Sequence, residues 1–183
     1  MLENAGIGHA VDAASIDEKE LKEKLGKDGT EVEQTALALA RAKAATVAAR
    51  HPGAHVVGAD QILELDGRWF DKPRDKEQAA AALKTLRGRT HRLVSAVAVH
   101  RDEEPLWEYV ETANLTMRDF SDAFVERYIA ESGPEILESV GAYRLEGTGA
   151  QLFARIEGDY FTILGLPLLA LLEFLRHAGV LAE

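Results

Sequence analysis

The sequence has 183 residues, 46% of them hydrophobic and 28% charged, enough apolar material for one compact domain with a core, which excludes a disordered chain. Its 31 acidic against 21 basic side chains leave a formal charge of −10, which argues against a Lys/Arg-driven grip on a nucleic acid polymer, and the absence of cysteine excludes disulfides, thiolate metal sites and a cysteine nucleophile. The opening MLENAGIGHA has neither the basic nor the apolar run of a secretory leader, and the apolar stretch from Phe161 to Leu175 is interrupted by Thr162, Gly165, Pro167 and Glu173, so a soluble cytoplasmic protein with no membrane partner is expected.

In chain order, Asp17 to Leu25 reads as a short charged helix ended by Gly26 and the Asp28-Gly29 turn. Thr30 is expected to open a long helix to about Arg50, with Thr30 and Glu33 at capping-box spacing and Pro52-Gly53 closing it. Val56-Val57 is expected as a short buried strand whose carboxyl end is Gly58-Ala59-Asp60, and Ile62 to Leu65, Asp66-Gly67 and Arg68 to Phe70 as a tight hairpin. Asp75 to Arg87 has Ala79, Leu83 and Leu86 on one helical face and Gly88 as a stop. Thr90 to His100 and Leu106 to Met117 alternate as paired antiparallel strands, with the turn running through Asp102 to Pro105. Ser121 caps a helix to about Ser132, the Gly-rich run from Gly141 to Gly165 is expected to hold short strands, and Pro167 opens a last helix with Leu168, Leu171, Leu172 and Leu175 on one stripe. Helices alternating with strands, with a long hairpin among them, predict an α/β fold with a mixed sheet flanked by helices.

Lys43 is the most informative single residue. Helical periodicity sets it among Val32, Ala36, Leu39 and Val47, in the middle of the apolar stripe, where an ammonium must snorkel to water, join a core ion pair, or meet a ligand phosphate. Asp60 follows small residues at an expected strand end, where it is either a turn former or a carboxylate that holds a divalent metal or takes a proton from water. Lys72 lies in the Asp71-Lys72-Pro73-Arg74-Asp75 loop, which alone reads as a solvated turn, and Glu18 alone reads as a first-turn helix acid. His51 and His55 are separated by the helix-breaking Pro52-Gly53, Gly147-Thr148-Gly149 lacks the rest of a nucleotide fingerprint, and there is no serine nucleophile elbow. Acids and lysines without a nucleophile fit metal-assisted phosphoryl transfer to water.

Taken in order, Ile16-Asp17-Glu18, Leu39-Ala40-Arg41-Ala42-Lys43-Ala44, Gly58-Ala59-Asp60, Lys72-Pro73, Gly141-Ala142-Tyr143 through Gly147, Ile156-Glu157-Gly158-Asp159-Tyr160 and Gly165-Leu166-Pro167-Leu168 resemble the motifs of the Maf family of nucleoside triphosphate pyrophosphatases, described historically as septum-formation inhibitors. The resemblance runs over essentially the whole chain. It implies an elongated, inosine-triphosphatase-like mixed α/β fold with a nucleotide cleft, a homodimer, and hydrolysis of a nucleoside triphosphate to monophosphate and pyrophosphate with Mg²⁺ or Mn²⁺. Carried over by position, Asp60 becomes the general base, Glu18 supports metal or water together with Asp60, and Lys43 and Lys72 bind the triphosphate. Gln61 and Glu146, where the pyrimidine-triphosphate branch has Thr and Gln, resemble the branch acting on 7-methyl-GTP. Ser139-Val140 replaces the family's frequent Lys-Ala before Gly141.

The family's opening Leu-Ala-Ser-x-Ser-x-x-Arg-Arg strand and loop is not present. On that basis residues 1–183 are expected to be a single, N-terminally truncated domain, and the competing expectation is a catalytically impaired nucleotide-binding or division-related regulatory protein of the same fold.

Overall fold

The computed structural model describes residues 1–182. Its elements in chain order are α1 (Glu18–Lys27), α2 (Val32–Ala48), β1 (Val56–Leu65), β2 (Arg68–Phe70), α3 (Lys76–Leu86), β3 (Thr90–Arg101), β4 (Glu104–Met117), α4 (Asp122–Glu131), β5 (Phe153–Glu157), α5 (Tyr160–Ile163) and α6 (Leu168–His177). The strands form one sheet in the order β2-β1-β3-β4-β5. The α/β class and the helix-flanked sheet are as expected, with antiparallel pairing where a mixed sheet was expected.

Three local expectations are corrected. Thr30 does not cap α2: its N–H donates to Leu25 O at 3.1 Å over a left-handed Gly29 and so closes α1, and α2 starts from Glu31, whose carbonyl accepts from Thr35 N at 3.0 Å. Asp60 is not at a strand end. β1 runs unbroken for 10 residues from Val56 to Leu65, because the small Gly58 and Ala59 interrupt the apolar pattern without interrupting the extended backbone. From Gly141 to Gly165 there is one strand, β5, with a 3-10 turn over Thr148–Leu152 and the short α5. Glycine there serves close approach: a Cβ on Gly149 would lie 2.4 Å from Arg144 O.

The chain divides into two compact units. One holds residues 1–61, 94–111 and the chain from Asp159 onward, and the other holds 62–93 and 112–158. In the first unit the sheet buries both faces. On one face α2 lays its alanine stripe so close to β1 that a Cβ on Gly58 would sit 2.3 Å from Ala40 O and 2.6 Å from Ala44 N. On the other, Val97 and Val99 of β3 pack with Leu166, Leu168, Leu171 and Leu175, with Val57, Ala59 and Trp107 at the margin. Fully burying one such Leu or Val stabilises the fold by about 1.5–3 kcal/mol.

In the second unit the β1–β2 hairpin turns at Asp66 and Gly67, both at positive φ as a two-residue I′ turn requires, and pairs Leu65 with Arg68 and Leu63 with Phe70. α3 buries Ala79, Leu83 and Leu86 and packs on α4. His91 is sealed in this core. Its Nε2 is 2.7 Å from the Tyr143 hydroxyl, and its ring lies against Tyr143 and Phe153. Burial pushes its pKa down to about 4.

Candidate active site

Two residues along β1 from Gly58, Asp60 shares the strand face that looks at α2. There its Oδ1 accepts from Lys43 Nζ at 2.7 Å, and the same ammonium lies 3.1 Å from Glu18 Oε1 at the first turn of α1. Asp17 holds that turn by accepting from Glu20 N at 2.8 Å, and α1 packs on α2. Lys43 is thus a buried-stripe lysine with an ion-pair solution, and its partners are the two carboxylates singled out from the sequence.

The cluster grades from core to solvent: side-chain exposure is 10% for Asp60, 21% for Lys43 and 54% for Glu18. Desolvation therefore dominates at Asp60 and holds its pKa above the ordinary carboxylate value, although the Lys43 ammonium pulls the other way. Burial alone depresses the pKa of Lys43, but the adjacent Asp60 and Glu18 more than reverse this, so it stays charged. A carboxyl group shifted upward by burial beside a specific charge partner is a functional-site signature.

Gln61 points to the opposite face. Its amide nitrogen donates to Ser95 Oγ at 2.9 Å, Thr162 O at 3.0 Å and Ile163 O at 3.1 Å, while Ser95 Oγ donates to Thr162 O at 2.7 Å. Thr162 Oγ1 in turn donates to Glu111 Oε2 at 2.5 Å, and Thr162 N donates to Asp159 Oδ1 at 3.0 Å as the cap of α5. Ser95, Thr162 and Glu111 were not singled out from the sequence. Only the Asp159/Thr162 capping spacing signals them, because the other contacts join strands far apart in the chain.

The remaining two candidates belong to the second unit. Lys72 is exposed on the loop between β2 and α3, just ahead of the Asp75 cap that accepts from Gln78 N at 2.7 Å. Glu146 Oε1 accepts from Arg144 Nε at 2.9 Å and lies 2.8 Å from Arg144 Nη2. The structure brings Glu18, Lys43 and Asp60 together, and it engages Gln61 and Glu146 with partners of their own.

Among the described residues no group of three or more His, Cys, Asp or Glu side chains is placed to hold a metal. Glu18 and Asp60, two hard-oxygen donors meeting at one cation, nevertheless fit the way Mg²⁺ is usually held, by one or two carboxylates with phosphate oxygens and water completing the shell. No described helix is long and apolar enough to cross a membrane.

The family described as Maf-like protein matches residues 1–178. A nucleoside triphosphate pyrophosphatase of Paramagnetospirillum magneticum is 52% identical over 181 residues, covering 99% of this chain and 93% of the relative. A 7-methyl-GTP pyrophosphatase of Rhizobium meliloti is 50% identical, covering 99% and 91%. A nucleoside triphosphate pyrophosphatase of Caulobacter vibrioides is 49% identical, covering 99% and 90%.

Proposed function

Since this chain belongs to the Maf family, we propose that it hydrolyses nucleoside triphosphates to the monophosphate and pyrophosphate, and that it does so at the Glu18–Lys43–Asp60 cluster. The convergence of both acids on one half-buried ammonium carries the assignment of the site. Asp60 takes the proton of the attacking water: its raised pKa makes it a stronger base than an exposed carboxylate. Lys43 exchanges a carboxylate contact for a phosphate oxygen of the substrate, and Lys72 is the second phosphate ligand. Both are compact, strongly charged donors suited to an anion. Glu18 and Asp60 would hold Mg²⁺ or Mn²⁺, which when bound neutralises charge developing on the phosphates.

For the base, Glu146 is the reader. Guanine presents N1–H and N2–H₂ donors that one carboxylate accepts side by side, whereas the uracil or thymine edge sets carbonyl acceptors against it. The positive charge added by N7 methylation strengthens the same contact, so 7-methyl-GTP is preferred to dTTP and UTP. Glu146 must first release Arg144. Gln61, whose amide is bonded to Ser95, Thr162 and Ile163, decides little about the base by itself. The enzyme on this account clears the nucleotide pool in the cytoplasm as a homodimer and engages no nucleic acid polymer.

Hydrolysis in ¹⁸O-water followed by mass spectrometry of the products tests the reaction. Label in the monophosphate with unlabelled pyrophosphate is expected, and release of orthophosphate with a diphosphate overturns it. In parallel, kcat/KM for 7-methyl-GTP over dTTP is expected to fall with Glu146→Gln by roughly 1–3 kcal/mol of discrimination. Preference for dTTP or UTP unchanged by that substitution removes Glu146 from base recognition.

A further inference from the structure

Lys43 is one positive charge shared between two carboxylates, so these three side chains by themselves present an excess of negative charge to a substrate that is itself a polyanion. A triphosphate enters such a place only if further cations line it. α1 carries one in register. Lys22 is four residues beyond Glu18, hence on the same helical face and about 6 Å further along the axis. That face, Glu18, Leu21, Lys22 and Leu25, is the one α1 turns towards α2: Leu21, Lys22 and Leu25 are half-buried, while Lys19, Glu20, Glu23 and Lys24 are exposed. The charge of Lys22 is also felt at Asp60, whose electrostatic neighbours are Lys43, Glu18 and Lys22.

Resting on the pyrophosphatase reading above, we propose that Lys22 is a further substrate-binding residue, which pairs with the β- and γ-phosphates and with the pyrophosphate that departs. Its displacement along α1 from Glu18 matches that division of labour: Asp60 and Lys43 serve the reacting α-phosphorus, and the lysine one turn away serves the leaving end. Lys22 is half-buried on the face that α1 turns towards α2, and its charge acts on Asp60, which is what a second cation serving this cluster requires. A monophosphate, which lacks that end, gains nothing from it.

Isothermal titration of the full chain with Mg²⁺, using a non-hydrolysable α,β-methylene nucleoside triphosphate, inorganic pyrophosphate and a nucleoside monophosphate, separates these contributions. Lys22→Met is expected to raise Kd for the analogue and for pyrophosphate roughly tenfold while leaving the monophosphate within about twofold. Lys22→Arg should retain most of the affinity. Lys19→Met, a change at an exposed lysine paired with Glu23 on the far side of α1, should leave all three alone. Unchanged pyrophosphate affinity in Lys22→Met, or equal weakening of the monophosphate, overturns the proposal while the parent reading stands. Failure of the wild-type chain to bind the analogue overturns both.

Discussion

Asp60 and His91 are both buried and titratable, one in each compact unit, and burial drives both towards neutrality from opposite sides: the carboxyl pKa rises and the imidazole pKa falls. Their company differs. Asp60 is joined to solvent through two charged partners of increasing exposure, whereas His91 meets the phenol of Tyr143 and the ring of Phe153 as aromatic neighbours, and its Nδ1 has no partner among the described residues. A buried ionisable group can exchange protons and ligands when its partners can be swapped for water or substrate. Sealed among rings it acts on stability alone.

The sharpest way to break this comparison is Asp60→Asn. The amide keeps the volume but cannot accept water's proton, so pyrophosphate release should fall by about 10³-fold, measured with a coupled pyrophosphate assay. Lys43 keeps Glu18, and the cost of a desolvated carboxylate disappears, so the melting temperature should stay within a few degrees of wild type. A protein that unfolds instead would show that the ion pair is structural first.

Acidification probes the sealed member. With an unfolded value near 6.5 and a folded value of about 4, His91 contributes stability that is fully present above pH 6.5. That contribution is lost as the pH falls towards 4, because the unfolded state takes up the proton first, for a total of about 3 kcal/mol. Asp60 has the opposite sign, since its raised pKa favours the folded state as it protonates. Urea unfolding at stepped pH should show the decline, and His91→Phe should flatten it. A slope unchanged by His91→Phe assigns the titration elsewhere.

The smallest expected effect sharpens the contrast within β1 itself. Gln61→Glu sets an acceptor against Ser95 Oγ and two carbonyls and should cost about 2 kcal/mol, read as a lower urea midpoint at unchanged m. Base preference should survive, because Gln61 has its three bonds within the fold. A switch in preference without loss of stability would sink that view.

Much of this was legible beforehand because it rests on local periodicity. The 100° helical repeat alone places Lys43 in the stripe of Val32, Ala36, Leu39 and Val47, all of which are buried. The cap at Ser121 follows from side-chain chemistry within three residues, and the same chemistry at Asp17 and Asp75, which read as first helical residues, makes them caps as well. What escaped is non-local. Whether β1 stops at Asp60 or runs on is decided by pairing within the sheet, which no local pattern encodes, and the Ser95–Gln61–Thr162 junction joins residues up to 101 apart. Thr30 misled for a related reason: its hydroxyl suits a cap, but its backbone N–H was already committed to closing α1.

α1 buries no side chain fully, and it meets the fold through half-buried Leu21, Lys22 and Leu25 and the Glu18–Lys43 contact. Such a helix is able to detach at little cost in exposed apolar area, by an opening that denaturant scarcely senses, while α2 and β1 stay locked backbone to backbone at Gly58. Catalytic competence and global melting are then decoupled. Substitutions along α1 can empty the active population of molecules without moving the calorimetric transition, so loss of activity in this enzyme is no measure of misfolding.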